Sequence, residues 1–425
     1  MLMSRFVKNC RGGIAPLLAL SVVPLMTGVG AAIDYTRANT ARSALQTSLD
    51  ATALMLSKNA TTETAAQLQT EATNYFGALF TRPDAKNVTV KTTYTSTAGS
   101  QLQLTGSATV STTFMRIAGF DEINISASST AKWGNTRLRV ALVLDNTGSM
   151  ADDGKMDALI TASKNLLTQL QSAAVTDGDV YVSIIPFSKD VNVDPANYQA
   201  SWLRWDLWEA ANGTCSKSSR TTQSSCLSHS GTWTPADHTT WNGCVTDRDQ
   251  NYDTTNDAPV AGSTLYPAEQ YSSCAAPLMG LSYDWTALSA KIGSMKPNGN
   301  TNQAVGLQMG WQSLTAAPFT IPATDPNYQY QQVIILLTDG LNTEDRWYSS
   351  QSSIDTRESK TCTNIKNAGI TLYTVQVNTG GDPTSTMLQN CASSKSKFFL
   401  LTSADQIVTT FGQIGTALSN LRLSM

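Results

Sequence analysis

The chain has 425 residues, 41% of them hydrophobic and 14% charged, with a formal net charge of −3. That length accommodates roughly two or three domains with sizeable cores, and the weakly acidic balance without a basic tract argues against a nucleic-acid partner. The only histidines, His229 and His238, share one loop-rich stretch, which argues against a histidine-centred zinc or hydrolase site.

Residues 1–34 read as a basic head and a membrane helix. Gly13 to Ile33 carries no charge; at ~1.5 Å per residue the run spans ~31 Å, close to the ~30 Å hydrocarbon core of a bilayer. Arg5, Lys8 and Arg11 precede it without an acidic residue. The N-terminus is therefore expected in the cytoplasm and everything after Asp34 outside. Val29-Gly-Ala31 would suit a signal peptidase. The run is long for a cleaved signal, however, and a helical pattern continues through Asp34-Tyr35, which favours a retained anchor.

Residues 35–134 read as a small α+β domain. Ala38, Ala41, Leu45, Leu49, Thr52 and Leu56 recur at helical spacing, as do Leu68, Ala72, Tyr75, Phe76 and Leu79. The period then changes to two. Val88, Val90 and Tyr94 alternate with polar residues; so do Leu102, Leu104, Ala108 and Val110, and then Ile123, Ile125 and Ala127. Three such runs separated by turns predict an antiparallel meander with one wet face.

From residue 135 to 425 strands and helices alternate, which predicts a doubly wound α/β fold with a mostly parallel sheet and helices on both faces. Val140 to Leu144 is an apolar run suited to a strand buried on both faces, and it ends at Asp145. Thr147 and Ser149 follow at two-residue steps. Further strands are expected at Asp179–Phe187, Gln332–Leu337, Ile370–Val377 and Lys397–Leu401, with Val191-Asn-Val as an edge. Helices are expected over Asp157–Leu170, from Asn302 to Leu314, and over 350–367, 385–392 and 404–421. Pro297-Asn-Gly-Asn-Thr301 is a turn before a helix, and a second buried strand ends in Thr338-Asp339-Gly340. Ligands in open α/β sheets collect beyond the carboxyl ends of the strands. Asp145, Thr147, Ser149, Thr301 and Asp339 supply hard oxygen donors at such ends, the type Mg²⁺ prefers.

Between residues 195 and 281 the alternation breaks. The stretch is rich in Ser, Thr, Asn and Gly, and holds Cys215, Cys226, Cys244, Cys274 and five tryptophans, Trp202, Trp205, Trp208, Trp233 and Trp241. It reads as a disulfide-stapled insertion whose tryptophans form a small core of their own or face a partner. Six cysteines beyond a membrane segment fit an oxidising compartment; the favoured pairing is Cys362 with Cys391, leaving two bridges among the other four. Asp247-Arg-Asp-Gln-Asn-Tyr-Asp253 has oxygen ligands at alternate positions, but Tyr252 and Ala258 stand where a calcium loop needs Gly and Glu. A solvated acidic turn is expected there, and Asp152, Asp153, Glu344 and Asp345 are expected in solvent as well.

Two resemblances join these observations. Asp145-x-Thr147-x-Ser149, then Gly299-x-Thr301, then Thr338-Asp339-Gly340 resembles the von Willebrand factor A family and its metal-ion-dependent adhesion site, with Thr147 where that family usually carries serine. The resemblance implies an Mg²⁺ or Mn²⁺ ion held by the hydroxyls of Thr147, Ser149 and Thr301, with Asp145 and Asp339 acting directly or through water, and one position open to a partner's carboxylate. Arg11-Gly-Gly-Ile-Ala-Pro-Leu-Leu-Ala-Leu through Ala32-Ile-Asp-Tyr, with Asp50-Ala-x-Ala-Leu54 beyond it, resembles the TadE/TadG-like proteins of the tight-adherence (Flp) pilus apparatus. It implies a single-pass protein of the bacterial inner membrane, its bulk periplasmic, binding other pilus-assembly components. The alternative is a surface adhesin that grips an external protein through the same site. A phosphatase of the haloacid-dehalogenase type needs a second carboxylate where Thr147 stands, so an enzyme is not expected.

Overall fold

The computed structural model describes residues 14–60, 63–96, 100–133, 136–326 and 328–423. The basic head and Cys10 lie outside them. The described residues form two compact units, divided between residues 133 and 136.

The first unit is built on one continuous helix, α1 (Ile14–Leu56). Among the described residues no helix is long and apolar enough to cross a membrane; within the expected span, the side chains of residues 14–20, 23 and 24 lie outside those described. Helix α2 (Ala65–Leu79) starts at a capping box in which Thr64 and Gln67 satisfy each other's backbone N–H groups. Strands β1 (Ala85–Thr95), β2 (Ser100–Ser111) and β3 (Glu122–Trp133) form an antiparallel meander in that order. Alternation places Leu102, Leu104, Ala108 and Val110 on one face, buried under Ala41, Leu45 and Leu49 of α1 and Leu68, Ala72 and Phe76 of α2. Gly106 lets α1 approach: a Cβ there would lie 3.1 Å from Leu49 and 3.2 Å from Leu45. At the other edge of this contact, Asp34 accepts hydrogen bonds from the backbone N–H groups of Thr113 (3.0 Å), Phe114 (2.8 Å) and Met115 (2.8 Å).

The second unit is a sheet with helices on both faces. Its parallel strands are β4 (Thr136–Asp145), β5 (Val180–Phe187), β8 (Gln329–Thr338), β9 (Thr371–Val377) and β10 (Phe398–Leu401). Across the sheet they run β5-β4-β8-β9-β10, and the order reverses between β4 and β8. Leu138, Val140, Leu142 and Leu144 point to one face, against α3 (Lys155–Ala173), α4 (Trp285–Gly293) and α8 (Asp405–Leu423). Ala141 and Val143 point to the other, against α5 (Gln303–Thr315), α6 (Gln351–Asn367) and α7 (Thr386–Cys391). Helix α5 sits very close to the sheet. A Cβ on Gly310 would lie 2.4 Å from Val143 Cγ2, and one on Gly306 2.7 Å from the Phe187 ring. Gly310→Ala is therefore expected to cost about 1–3 kcal/mol, read as a lowered denaturation midpoint, because a packed core resists an added methyl.

The edge of this sheet departs from expectation. Strand β6 (Val191–Asn192) and strand β7 (Met279–Ser282) both pair antiparallel with β5. Residues 279–281, read as the end of the insertion, thus belong to the main sheet, and the long excursion interrupts an edge strand. Four residues, one of them a glycine, gave too short a run to register as a strand. The tryptophans do not build a separate core either. Trp208 and Trp241 are buried in the same cluster as Val143, Phe187 and Leu307. The excursion covers the outer side of α5, so Gln303 to Leu314 are buried all round. Gln308 Nε2 donates to the Thr255 carbonyl, while Gln308 Oε1 accepts from Tyr266 Oη; Gln312 Nε2 donates to the Asp257 carbonyl.

Disulfides join Cys215 to Cys226, Cys244 to Cys274, and Cys362 to Cys391. The Cys362–Cys391 bridge ties α6 to α7 beside Glu358, whose carboxyl is fully buried and accepts from Asn342 Nδ2 at 2.8 Å. Burial pushes Glu358 up to about 8. A carboxyl whose folded pKa is raised adds stability that is complete below its unfolded value and is lost as pH rises through about 8. Glu358→Gln should match the parent in denaturant midpoint near pH 5 and exceed it near pH 9.

Candidate metal centre

Three loops meet at the carboxyl ends of β4 and β8, where the strand order reverses. The register explains the meeting: Leu144 pairs with Leu337, so Asp145 and Thr338 end neighbouring strands at one level. Asp145 is fully buried. It accepts from the Thr147 N–H at 2.8 Å and from Thr338 Oγ1 at 2.7 Å. Ser149 Oγ lies 3.2 Å from Thr147 Oγ1 and donates to Asp339 Oδ1 at 2.7 Å. Four of the five expected ligands, Asp145, Thr147, Ser149 and Asp339, are thereby linked in one cluster of carboxylates and hydroxyls.

Thr301 reaches this cluster through its loop. Gly148 N–H donates to the Gly299 carbonyl at 2.9 Å, and Asn298 N–H to the Asn146 carbonyl at 2.8 Å. Thr301 itself is buried, its N–H donating to Thr343 Oγ1 at 2.8 Å. The start of α5 is fixed to the loop after β8 by Gln303, whose N–H donates to Asn342 Oδ1 (2.8 Å) and whose side chain donates to the Gly340 carbonyl (3.0 Å). Among the described residues, the hydroxyl-to-carboxylate contacts do not extend to the Thr301 side chain.

Sequence reasoning missed three participants. Lys155, the first residue of α3, is buried and places Nζ 2.6 Å from Asp339 Oδ2. Nothing in the sequence marks it, since a lysine at a helix start normally faces water. Thr338 was visible within its motif but without a role; its hydroxyl holds Asp145. The third is Asp247, in the stretch expected to be a solvated acidic turn. That expectation is wrong: Asp247 is buried and accepts from Asn302 Nδ2 at 2.8 Å. Asp249 pairs with Arg204 and Arg346, and Asp253 with Arg357. Asp345 is likewise buried, accepting from the N–H of Trp347, while Asp152 and Asp153 are exposed. The arginines that neutralise this turn come from elsewhere in the chain, Arg357 from α6, which one stretch of sequence cannot reveal.

The electrostatics follow from burial. Burial, and then the charge of Asp339, pushes Asp145 up to about 7 against the bonds from Thr147 and Thr338. Burial and the nearby Asp345 also push Asp247 to about 7. Two carboxylates and three hydroxyls at a strand-end crevice form a donor set suited to a hard divalent cation, whose charge would offset the repulsion between Asp145 and Asp339. Asn302, beside Thr301, is held by Asp247 and by the Lys189 carbonyl. Asp247→Ala is expected to weaken divalent-ion uptake roughly 10-fold, since residues that orient ligands matter nearly as much as ligands; calorimetric titration would read it. The histidines play no part in the cluster: His238 stacks on Trp205 with centroids 3.7 Å apart and meets Glu209 Oε1 at 2.9 Å.

Residues 12–55 match the family model for Flp pilus-assembly TadE/G-like proteins, and residues 267–413 match the von Willebrand factor type A domain. The second match includes Thr301 and Asp339; Asp145, Thr147 and Ser149 precede it. A comparison with curated proteins finds no match. Among solved structures, the pilus adhesin SpaC from Lactobacillus rhamnosus GG is similar over 80% of this chain and 36% of that one, at 14% identity and a TM-score of 0.39. The vWF domain of the type V pili tip protein Mfa5 from Porphyromonas gingivalis is similar over 68% of this chain and 97% of its own, at 12% identity and a TM-score of 0.38. Proximal thread matrix protein 1 from the mussel byssus, with a zinc-occupied MIDAS motif, is similar over 67% and 46%, at 16% identity and a TM-score of 0.34. The chain thus spans about a third of the length of SpaC. Strand order and family matches agree: the chain carries a TadE/G-like Flp pilus-assembly segment followed by a von Willebrand factor type A fold.

Proposed function

We propose that this chain is a membrane-anchored, extracytoplasmic component of Flp pilus assembly that binds a protein partner through a divalent cation. Residues 13–33 are its anchor and the second unit its recognition domain. The cluster of Asp145, Thr147, Ser149 and Asp339 at the switch point carries this reading. It is supported by the TadE/G-like match at residues 12–55. Asp145, Thr147, Ser149, Thr301 and Asp339 would hold Mg²⁺ or Mn²⁺, which would supply a concentrated positive charge for a partner's acidic side chain. The protein's own contribution is orientation. Thr338 and the Thr147 N–H fix the Asp145 carboxylate, and Ser149 fixes that of Asp339. We read the site as a binding device. Crosslinking in native membranes, followed by affinity capture with and without chelator, tests this directly. Envelope proteins captured with Mg²⁺ should be lost in chelator and in Asp145→Ala; identical capture in all three would defeat the reading.

A further inference from the structure

Loop 113–121 of the first unit exposes apolar side chains beside the end of the expected anchor. Ile117 is 85% exposed, Phe120 59% and Phe114 38%. The loop is clamped at a fixed level of α1. Its backbone N–H groups at Thr113, Phe114 and Met115 converge on Asp34, and Arg37 donates to Thr113 Oγ1 at 3.0 Å. From that clamp the Phe114 side chain reaches back along the helix towards its N-terminus. A Cβ on Gly30 would lie 2.4 Å from Phe114 Cβ, which places Phe114 about 6 Å, one helical turn, on the membrane side of Asp34. Around it α1 exposes Leu25, Met26, Val29 and Ile33, the apolar surface read as lipid-facing. Tyr35, Arg37 and the exposed Arg116–Asp121 pair ring the same level, as aromatic and basic residues do at membrane surfaces.

We propose that this loop is a second membrane contact, with Phe114, Ile117 and Phe120 inserted into the interfacial zone of the outer leaflet of the phospholipid bilayer that holds α1. Apolar side chains of surface-lying segments sink ~5–10 Å into that zone, and the clamp at Asp34 presents the loop at that depth. The contact fixes how the first unit stands on the membrane, which a single helix passing through lipid does not.

The proposal rests on residues 13–33 being an anchor, and its test separates the two. The full-length protein, in a Cys10→Ser background, is labelled with an environment-sensitive fluorophore at Ile117→Cys, Phe120→Cys, Leu25→Cys or Met55→Cys. It is reconstituted in phosphatidylethanolamine–phosphatidylglycerol vesicles with or without lipids carrying a quencher, placed either near the headgroup or deep in the acyl chain. Labels at 117 and 120 should shift to the blue and lose more than about half their emission to lipid-borne quencher. The label at 55, ~32 Å along the helix from Asp34, should be quenched only by aqueous iodide. Quenching at 25 without quenching at 117 and 120 would overturn the loop contact and leave the anchor standing. No lipid quenching at 25, 117 or 120 would overturn both. Labels at 117 and 120 shielded from lipid and iodide alike would mean that protein covers the loop, and would also overturn the proposal.

Discussion

Replacing Asp339 by alanine is expected to do two things at once: remove divalent-ion binding and destabilise the second unit by about 3 kcal/mol. The first effect follows from the loss of one of only two carboxylates in the cluster. The second follows from Lys155. Its ammonium is buried 2.6 Å from Asp339 Oδ2, and removing one member of a buried pair leaves the other charged group uncompensated. Denaturant titration in chelator isolates the stability effect, and calorimetry with Mn²⁺ isolates the binding effect. In Asp339→Ala/Lys155→Met most of the stability should return while ion binding does not. If the single variant lost binding without losing stability, the ion pair would carry no energetic weight.

Lys155→Met should act in the opposite direction on metal. The ammonium already neutralises part of the Asp339 charge, so it competes electrostatically with any cation at the same carboxylate. Methionine keeps much of the apolar stem while removing that charge. Divalent-ion affinity is expected to rise about 10-fold, equivalent to about 1.4 kcal/mol. Without metal the variant should be less stable than the parent, because Asp145 and Asp339 then face each other with no cation between their loops. Added Mn²⁺ should therefore raise its thermal midpoint more than it raises the parent's. Unchanged affinity in Lys155→Met would show that the lysine and the ion do not share Asp339.

The parts of this molecule that were legible in its sequence are those governed by local pattern. Val140–Leu144 and Val333–Leu337 read as buried strands because strands covered on both faces are continuously apolar. The meander read correctly because Leu102, Leu104, Ala108 and Val110 keep one face. The four linked residues of the cluster were visible because two strands ending side by side put their next residues together. What stayed hidden depends on distant chain. β7 has four residues and is defined by pairing with β5. Asp247 looked like a surface acid because the Asn302 side chain and the Arg346 N–H that donate to it lie elsewhere in the sequence. Lys155 was invisible for the same reason: its role comes from Asp339, contributed by the neighbouring strand.

The most direct measurement is isothermal titration of Mg²⁺ and Mn²⁺ into the full-length protein and its Asp145→Ala variant at one pH and ionic strength. One saturable site in the parent, absent from the variant while its circular dichroism stays unchanged, is the expected result. No uptake by the parent, or equal uptake by both proteins, would contradict a cation site built on Asp145.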